Sequence, residues 1–338
     1  MATISLCMIV KNESKVLARC LNSFQELVDE IIIVDTGSSD NTKEIAYRYT
    51  NQVYDFEWID DFSAARNFSF SKATKDYIYV ADADEFIDEE NQKRFMLVKQ
   101  ALLPEVEIVQ MYYTNQLAFN TTYNFDKEYR PKLYKRLREF CWREPIHEAV
   151  QLEPVIYDSD IEIIHMPESN HAGRDFAVFL KILKSGNGLS ERLIEMYARE
   201  LFIAGAKQDF IEAYPFFKEF SEMPLSLEKL KIVQCVIVRA ARELNDLGAF
   251  FKEALKNVAL DQPSAEVCFE LGEHYVAAGD DKEATIWYYN AAYETSPELN
   301  IHYGGDYPRE KLAQCYRRLG AMEEAEKYEN AAREWKAE

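Results

Sequence analysis

The sequence is poor in basic residues and lacks the glycine-rich motifs of several common enzyme classes. Its 338 residues include 39 lysines and arginines against 59 aspartates and glutamates, which gives a net charge of -20. Because nucleic-acid backbones are bound mainly through lysine and arginine, this balance argues against a nucleic-acid-binding protein. The sequence has no Gly-x-Gly-x-x-Gly fingerprint and no P-loop, so the usual signatures of hydride transfer and ATP hydrolysis are absent.

Paired cysteines and long apolar runs are also missing. The six cysteines contain no CxxC pair, which argues against a disulfide framework or a thiolate zinc site and favours reduced thiols in the cytosol. The amino-terminal apolar run ends at Lys11, too early to cross a bilayer, and has no signal-peptide features. We therefore expect a cytoplasmic protein without a membrane span, in which this run is the first strand.

Glycine is nearly absent from the first half of the chain. Only Gly37 precedes residue 170, and the other ten glycines follow it. Short apolar runs there alternate with amphipathic segments, a pattern that predicts βαβ units and a mostly parallel sheet. The predicted strands are Ile4–Val10, Glu30–Asp35, Val53–Glu57, Tyr77–Ala81 and Val106–Tyr113, with helices near 15–25, 41–50, 63–73 and 91–103. Residues 120–168 are irregular and strand-rich.

The second half is predicted to be helical and repetitive. Residues 268–297 fit the tetratricopeptide pattern, with Gly272 and Tyr288 at two of its positions, and a second copy follows 41 residues later. The usual period is about 34 residues, so the spacing indicates an insertion around "LNIHYGGDY". Residues 190–220 resemble a third, degraded copy. We expect domains at 1–171 and 172–338, the second binding a peptide or protein or serving as a capping or homodimerisation element.

The stretch "YIYVADADEFIDEE" (77–90) has the densest charge in the chain, with six carboxylates within nine residues. Asp82 and Asp84 follow an apolar strand at spacing i, i+2, which would direct both side chains to one side. Two carboxylates there suit Mg²⁺ or Mn²⁺, with substrate phosphates completing the shell. A solvated turn is the alternative interpretation. Glu85, with the acids at 88–90, is expected at a helix amino terminus.

Two further motifs carry candidate ligand contacts. Strand 31–34 leads into Asp35 and the turn at Gly37, and Asn41 with Glu44 has the form of a capping box. Asp35 could accept hydrogen bonds from a nucleobase or ribose. In "DDFSAARNFSFSKA", Arg66 lies near a helix start that Ser63 can cap, where it would make either a surface ion pair or a bidentate diphosphate contact.

Four stretches, "ISLCMIVKNE", "VDEIIIVDTGSSDNT", "WIDDFSAARNFSFSKAT" and "YVADADEF", together resemble the family 2 glycosyltransferases, which have the GT-A fold (a Rossmann-like α/β fold). The subgroup most similar to this chain carries tetratricopeptide-like helices after the catalytic domain and includes enzymes that glycosylate bacterial peptides and proteins. The resemblance covers residues 1–170. It implies a metal-dependent, inverting hexosyltransferase that takes a sugar from a UDP-sugar donor.

The resemblance also implies roles for individual residues. Asp35 would contact uracil or ribose, and Arg66 would lie near the diphosphate. Asp82 would face the ribose or the metal, and Asp84 would hold Mn²⁺ or Mg²⁺ with help from His165. The first strand would supply further nucleoside contacts, which would fall around Met8, Val10 and Asn12.

The remaining chemistry is expected within residues 129–171, which contain three of the five histidines. Glu148 is the candidate base for the acceptor proton, and His147 is the second candidate or an acceptor contact. Arg130, Lys132 and Arg143 could offset phosphate charge. A satisfied structural histidine or a surface ion pair is the alternative in each case.

We expect a peptide or protein acceptor, held partly by the helical repeats, while saccharide and lipid-linked acceptors stay open. A non-catalytic repeat-based binding module is one rival interpretation. The other is a nucleotidyltransferase or haloacid-dehalogenase-type phosphatase, since both use D-x-D motifs. The intact set of Asp35, Arg66, Asp82 and Asp84 argues against the first rival. The late position of the D-x-D and the lack of a basic glycine-rich loop argue against the second.

Overall fold

The computed structural model describes residues 1–114, 127–138, 142–143, 149–150, 154–166, 172–186 and 188–336. The chain forms two compact units, the first ending at Asn170 and the second beginning at His171. That these are separate domains with a boundary between 171 and 172 stays a prediction. Across the described ranges, no helix combines the length and apolar character needed to span a bilayer.

The first unit is built on an eight-stranded mixed sheet flanked by helices. Its strands are β1 (Ile4–Val10), β2 (Glu30–Asp35), β3 (Val53–Asp55), β4 (Tyr77–Val80), β5 (Glu85–Phe86), β6 (Ile108–Thr114), β7 (Glu128–Lys135) and β10 (Ile156–His165), while β8 (Trp142–Arg143) and β9 (Ala149–Val150) form a separate pair. Its helices are α1 (Leu17–Phe24), α2 (Thr42–Ala46), α3 (Phe62–Lys72) and α4 (Glu89–Ala101), with a 3-10 turn at Arg136–Arg138.

The strand order is β3-β2-β1-β4-β7-β6-β10-β5. Pairing is parallel across β3-β2-β1-β4 and between β6 and β10, and antiparallel where β7 lies between β4 and β6 and where β5 meets β10. The predicted α/β architecture is confirmed, and antiparallel β7 and β5 make the sheet mixed.

Alternate residues of the central strands face two cores. The larger core includes Leu6 and Met8 of β1 and is centred on Tyr79, whose ring lies 4.8 Å from Phe24 of α1 and 5.7 Å from Phe95 of α4. Cys7 and Ile32, with Ala73 and Ile78, pack on the opposite face next to α3. Burial on both faces explains why the parallel strands read as continuous apolar runs.

The second unit is helical, as predicted. Its helices are α5 (Ala172–Lys184), α6 (Glu191–Ala204), α7 (Lys207–Phe220), α8 (Leu227–Glu243), α9 (Leu247–Val258), α10 (Ala265–Ala277), α11 (Asp281–Tyr289), α12 (Asp306–Arg318) and α13 (Met322–Glu334). A π-helical turn (Asn290–Glu294) continues α11, and a 3-10 turn (Ile301–Tyr303) precedes α12.

The two repeat positions Gly272 and Tyr288 meet where α10 packs on α11. Tyr288 is fully buried, and a Cβ at Gly272 would lie 2.6 Å from its ring. Only glycine allows the two helices to approach this closely. This contact explains why the repeat pattern has a glycine at the first position and an aromatic residue at the second.

Candidate functional site

Three neighbouring strands end at the same edge of the first unit's sheet. The parallel strands β2, β1 and β4 lie side by side and end at Asp35, Val10 and Val80. Asp82 and Asp84 follow directly after β4. Parallel strands of an α/β sheet bind ligands at their carboxyl ends, so the predicted site residues Asp35, Asp82 and Asp84 gather where a ligand is expected.

The turn after β2 places the Asp35 carboxylate in a buried position. Its Oδ1 accepts hydrogen bonds from the backbone N–H of Gly37 and of Ser38, both at 2.9 Å, and Gly37 has φ +101°, a value that favours glycine. Its Oδ2 is buried and has no hydrogen-bond partner within the described part of the chain. A buried carboxylate oxygen without a donor is costly, so this atom suits a ligand N–H or O–H group.

Asn12 ties the end of β1 to the Gly37 turn. It has φ 58°, its Oδ1 accepts from the Ser39 backbone N–H at 2.7 Å, and its own N–H donates to Ser38 Oγ at 2.9 Å. This predicted nucleoside contact therefore shapes the loop. The Met8 and Val10 side chains are buried in the larger core, which they share with Leu17, Leu21 and Phe24 of α1. The structure does not bring these two side chains to the site.

The D-x-D motif is a turn and not the end of a strand. β4 ends at Val80, residues 83–84 form a turn, and the Glu85 N–H donates to the Asp82 carbonyl at 3.2 Å. The expectation that strand alternation sets both carboxylates therefore does not hold. Asp82 is directed to Arg66, while Asp84 is directed to His165.

Asp82 is held ionised by surrounding positive charges. Its Oδ1 lies 3.6 Å from Arg66 Nη2, and its side chain is 46% exposed. Partial removal from water raises the pKa of the Asp82 carboxyl, but the charges of Arg66, Lys132 and Arg130 outweigh this and hold it below its usual value. Asp82 can therefore accept hydrogen bonds or contact a cation across the neutral pH range.

Asp84 and His165 form the second part of the site. Asp84 Oδ2 lies 3.1 Å from His165 Nε2. Strand β5 pairs Glu85 with His165 at the end of β10, and the Asp84 carbonyl accepts from the Met166 N–H at 3.0 Å. Arg19 Nη2 donates to the carbonyls of Asp84 and Met166. These backbone contacts explain how residues 81 positions apart are brought together.

A buried ion pair lies directly behind the D-x-D turn. Glu85 is fully buried and Lys132 of β7 is 5% exposed, and the Lys132 ammonium contacts Glu85 Oε1. Burial raises the pKa of the Glu85 carboxyl to about 7, although the Lys132 charge opposes the rise. The expectation that Glu85 belongs to a helix amino terminus is wrong, because β5 turns it inwards. Lys132 is committed to this pair and is not available to bind phosphate.

Two arginines approach the site from other elements. Arg66 of α3 is 8% exposed, and its guanidinium carbon lies 5.0 Å from the centre of the Trp142 ring. Arg130 of β7 lies 4.0 Å from the Tyr113 ring and pairs with Glu128 at 2.6 Å. The sequence indicated both arginines but not the Trp142 platform, because β8 lies far from α3 in the chain.

The helix caps near the site differ from those predicted. Asp61, and not Ser63, caps α3 by accepting from the Ala64 N–H at 3.0 Å. Asn41 makes no side-chain cap bond at α2, where Asp40 Oδ1 accepts from the Thr42 N–H at 3.0 Å. The hydrogen bonds at these two helix starts are thus accepted by Asp40 and Asp61, and not by the predicted caps Asn41 and Ser63.

The donor atoms fit a hard divalent cation. Asp84 and Asp82 offer carboxylate oxygens, which Mn²⁺ and Mg²⁺ prefer, and His165 offers an imidazole nitrogen, a softer ligand than Mg²⁺ prefers. No group of three His, Cys, Asp or Glu side chains able to hold a metal occurs in the ranges that the structure describes. A cation here would therefore take further ligands from outside these side chains, which suits a phosphate-bearing substrate. Mn²⁺ or Mg²⁺ binding stays a prediction.

The predicted acid–base residues cannot be compared with this geometry. His147 and Glu148 lie outside the described residues, and only the strand position of Arg143, in β8, is described.

Comparison with known proteins identifies the first unit. Residues 5–170 match the family model "Glycosyl transferase family 2". A TPR repeat-containing protein of Synechococcus elongatus is 52% identical over 85 residues, which are 25% of this chain and 21% of that protein. The SPbeta prophage-derived glycosyltransferase SunS of Bacillus subtilis is 30% identical over 203 residues, 58% of this chain and 43% of that protein. The chain thus spans less than half the length of these curated relatives.

Among solved structures, glucosyl-3-phosphoglycerate synthase from Mycobacterium tuberculosis, crystallised with Mg²⁺ and UDP, superposes with a TM-score of 0.40 at 14% identity, covering 56% of this chain and 81% of that one. The family model covers the sheet, the D-x-D turn and His165. Residues 5–170, which contain the candidate site, therefore match the family 2 glycosyltransferases.

Proposed function

We propose that the first unit transfers a hexose from a nucleotide-sugar donor, in first place a UDP-sugar, to a peptide or protein acceptor. The observation that carries the proposal is the convergence of Asp35, Asp82 with Arg66, and Asp84 with His165 at one sheet edge of a family 2 domain. The tetratricopeptide-like helices of the second unit support a polypeptide acceptor.

The donor's nucleoside would be bound first by Asp35. Its buried Oδ2, which has no donor in the described ranges, would accept a hydrogen bond from uracil N–H or a ribose hydroxyl. Arg66, whose guanidinium carbon lies 5.0 Å from the centre of the Trp142 ring, would place its guanidinium against the diphosphate. The Asn12 contacts with Ser38 and Ser39 keep this recess formed before the donor arrives.

The transfer breaks the bond between the anomeric carbon and the diphosphate oxygen and forms a bond from the acceptor to that carbon, with inversion. Asp84 and His165, with Asp82, would hold a divalent cation. When bound, its positive charge would stabilise the negative charge that develops on the leaving diphosphate. The acceptor proton passes to a base, for which Glu148 and His147 are the candidates. UDP carries the released electron pair away.

Donor binding is the first test. Thermal unfolding is measured with UDP-glucose, UDP-N-acetylglucosamine, UDP-galactose and GDP-mannose, each with Mn²⁺ or with EDTA. A donor at ~100 times its Kd stabilises by roughly 2.7 kcal/mol. We expect one donor to raise Tm only with the metal, and this shift to be lost in Asp84→Asn. Asp160→Asn, which removes an exposed carboxylate (77% exposed), is the matched control and should keep the shift.

Acceptor class needs a second readout. A radiolabelled donor is incubated with the protein and with cell extract, and the label is followed into protease-sensitive, lipid-extractable and soluble saccharide fractions. Protease-sensitive label that disappears in Asp84→Asn supports the polypeptide acceptor. Label in either other fraction would assign a saccharide or lipid-linked acceptor. No Tm shift with any donor would favour the binding-module interpretation.

A further inference from the structure

The insertion in the helical repeats is a buried segment. Residues 297–305 lie between the π-helical turn after α11 and the start of α12. Leu299 and Asn300 are each 1% exposed, and Tyr303 is 7% exposed. An insertion that only lengthened a surface loop would remain in water, so this segment has a packing role.

A single carboxylate binds the backbone of the segment. Glu266 of α10 is fully buried, and its Oε1 accepts from the N–H groups of Glu298, Leu299 and Asn300 at 3.0, 2.7 and 3.0 Å. The segment has no strand or long helix to satisfy these donors. Glu266 therefore accepts the hydrogen bonds of three backbone N–H groups that, in a sheet, would be accepted by the carbonyls of a neighbouring strand.

The side chains of the segment contact three alternate helices of the array, α6, α8 and α10. The Glu298 carboxylate pairs with Lys231 of α8, and Asn300 Nδ2 donates to the Phe202 carbonyl of α6 at 3.2 Å. The Tyr303 hydroxyl accepts from Arg239 of α8 at 2.9 Å. The segment thus lies across α6, α8 and α10, where α8 packs between the other two.

Aromatic packing completes the same surface. The Tyr303 ring lies 5.3 Å from Phe202 of α6 and 4.9 Å from Phe269 of α10. Without the segment, the Glu266 carboxylate and the rings of Phe202 and Phe269 would be exposed to water or available to contact another chain. Uncompensated buried charge is expensive, so this surface has the chemistry of a peptide site.

We propose that the face formed by α6, α8 and α10 is a peptide-binding groove whose ligand is the chain's own segment Glu298–Tyr303. The groove is therefore closed to other polypeptides in the intact protein. An acceptor polypeptide, if the second unit binds one, must use another surface. This inference does not depend on sugar transfer, and its test uses no donor.

The test removes the segment and supplies it separately. Residues 298–303 are replaced by a Gly-Ser linker of the same length, and a labelled synthetic peptide of residues 295–306 is titrated by fluorescence anisotropy. We expect the linker variant to bind the peptide and the parent protein not to bind it. Adding Glu266→Gln to the linker variant should weaken binding by about tenfold or more, since the charged acceptor of three N–H groups is lost. Equal binding by parent and variant, or none by a variant with cooperative unfolding, overturns the proposal.

Hydrogen exchange decides the case in which the linker variant does not fold. In the parent, the amides of Glu298, Leu299 and Asn300 should exchange as slowly as those of α10, because they are released only when the array opens. In Glu266→Gln these three should exchange faster while α12 is unchanged. Fast exchange of the three amides in the parent would show an ordinary surface loop and overturn the proposal.

Discussion

Removing Lys132 from its buried pair with Glu85 should destabilise the first unit strongly. The Lys132→Met variant leaves a fully buried carboxylate without its cationic partner. Breaking a buried ion pair at one partner costs about 3–5 kcal/mol. The pKa of Glu85 is already raised to about 7 by burial, and losing the Lys132 charge would raise it further. The variant can therefore relieve part of the cost by taking up a proton, so we expect the lower end, about 3 kcal/mol.

Urea unfolding with pulsed hydrogen-exchange mass spectrometry measures this cost, because peptides from each unit report its own unfolding. The double variant Lys132→Met/Glu85→Leu should be more stable than Lys132→Met alone, since the uncompensated charge is gone. Lys127→Met is the matched control, because Lys127 pairs with Glu162 at 2.6 Å where both side chains are more than a third exposed. An exposed pair is worth about 0–1 kcal/mol. Equal costs for Lys127→Met and Lys132→Met, or additive costs in the double variant, would refute the reasoning.

Three further predictions concern the helical unit and the donor site. Burial raises the pKa of Glu200 to about 7 from an ordinary 4.5, so the stability from its bound proton is present at low pH and lost as pH rises through 7. Glu200→Gln should therefore gain in Tm relative to the parent between pH 5 and pH 8, and a constant difference would contradict this. Gly272→Ala, whose Cβ would lie 2.6 Å from Tyr288, should lower the free energy of unfolding by about 1–3 kcal/mol. Gly248→Ala, whose Cβ meets nothing nearer than 3.6 Å, is its control in the same urea titrations and should cost nothing. Arg66→Lys keeps the charge but loses the planar guanidinium group, so calorimetry should show donor affinity lower by about tenfold in a variant that still unfolds cooperatively.

The strands at the site were predictable because a strand that is buried on both faces has a continuous run of apolar residues in the sequence. The predicted bounds Ile4–Val10 and Glu30–Asp35 are those of β1 and β2. Both strands lie in the parallel part of the sheet, where continuous apolar sequence marks the strand and the first polar residue marks its carboxyl end. Asp35 could thus be placed from sequence alone, since its position depends on the end of one strand.

The helix caps could not be predicted because several neighbouring residues have the same chemistry. Asp60, Asp61 and Ser63 can each accept an N–H bond at a helix start, and the sequence does not say where the chain turns. The choice depends on which neighbouring acid is already bonded: the Trp58 indole donates to Asp60 at 3.0 Å, and Asp61 caps α3.

The acids Asp82, Asp84 and Glu85 have different partners, and the topology of the sheet decides which partner each one meets. These partners also explain why the site should need a cation. Antiparallel β7 brings Lys132 to Glu85, which lies 47 residues earlier in the chain, while α3 brings Arg66 to Asp82. Two of the three acids nearest the turn thus face a cation supplied by the chain. The Asp84 carboxylate faces the His165 imidazole, and among the described residues it makes no ion pair with a lysine or arginine. The negative charge left at the turn therefore resides mainly on Asp84. A donor diphosphate arriving beside this carboxylate adds like charge, so a divalent ion held by Asp84 would turn repulsion into binding.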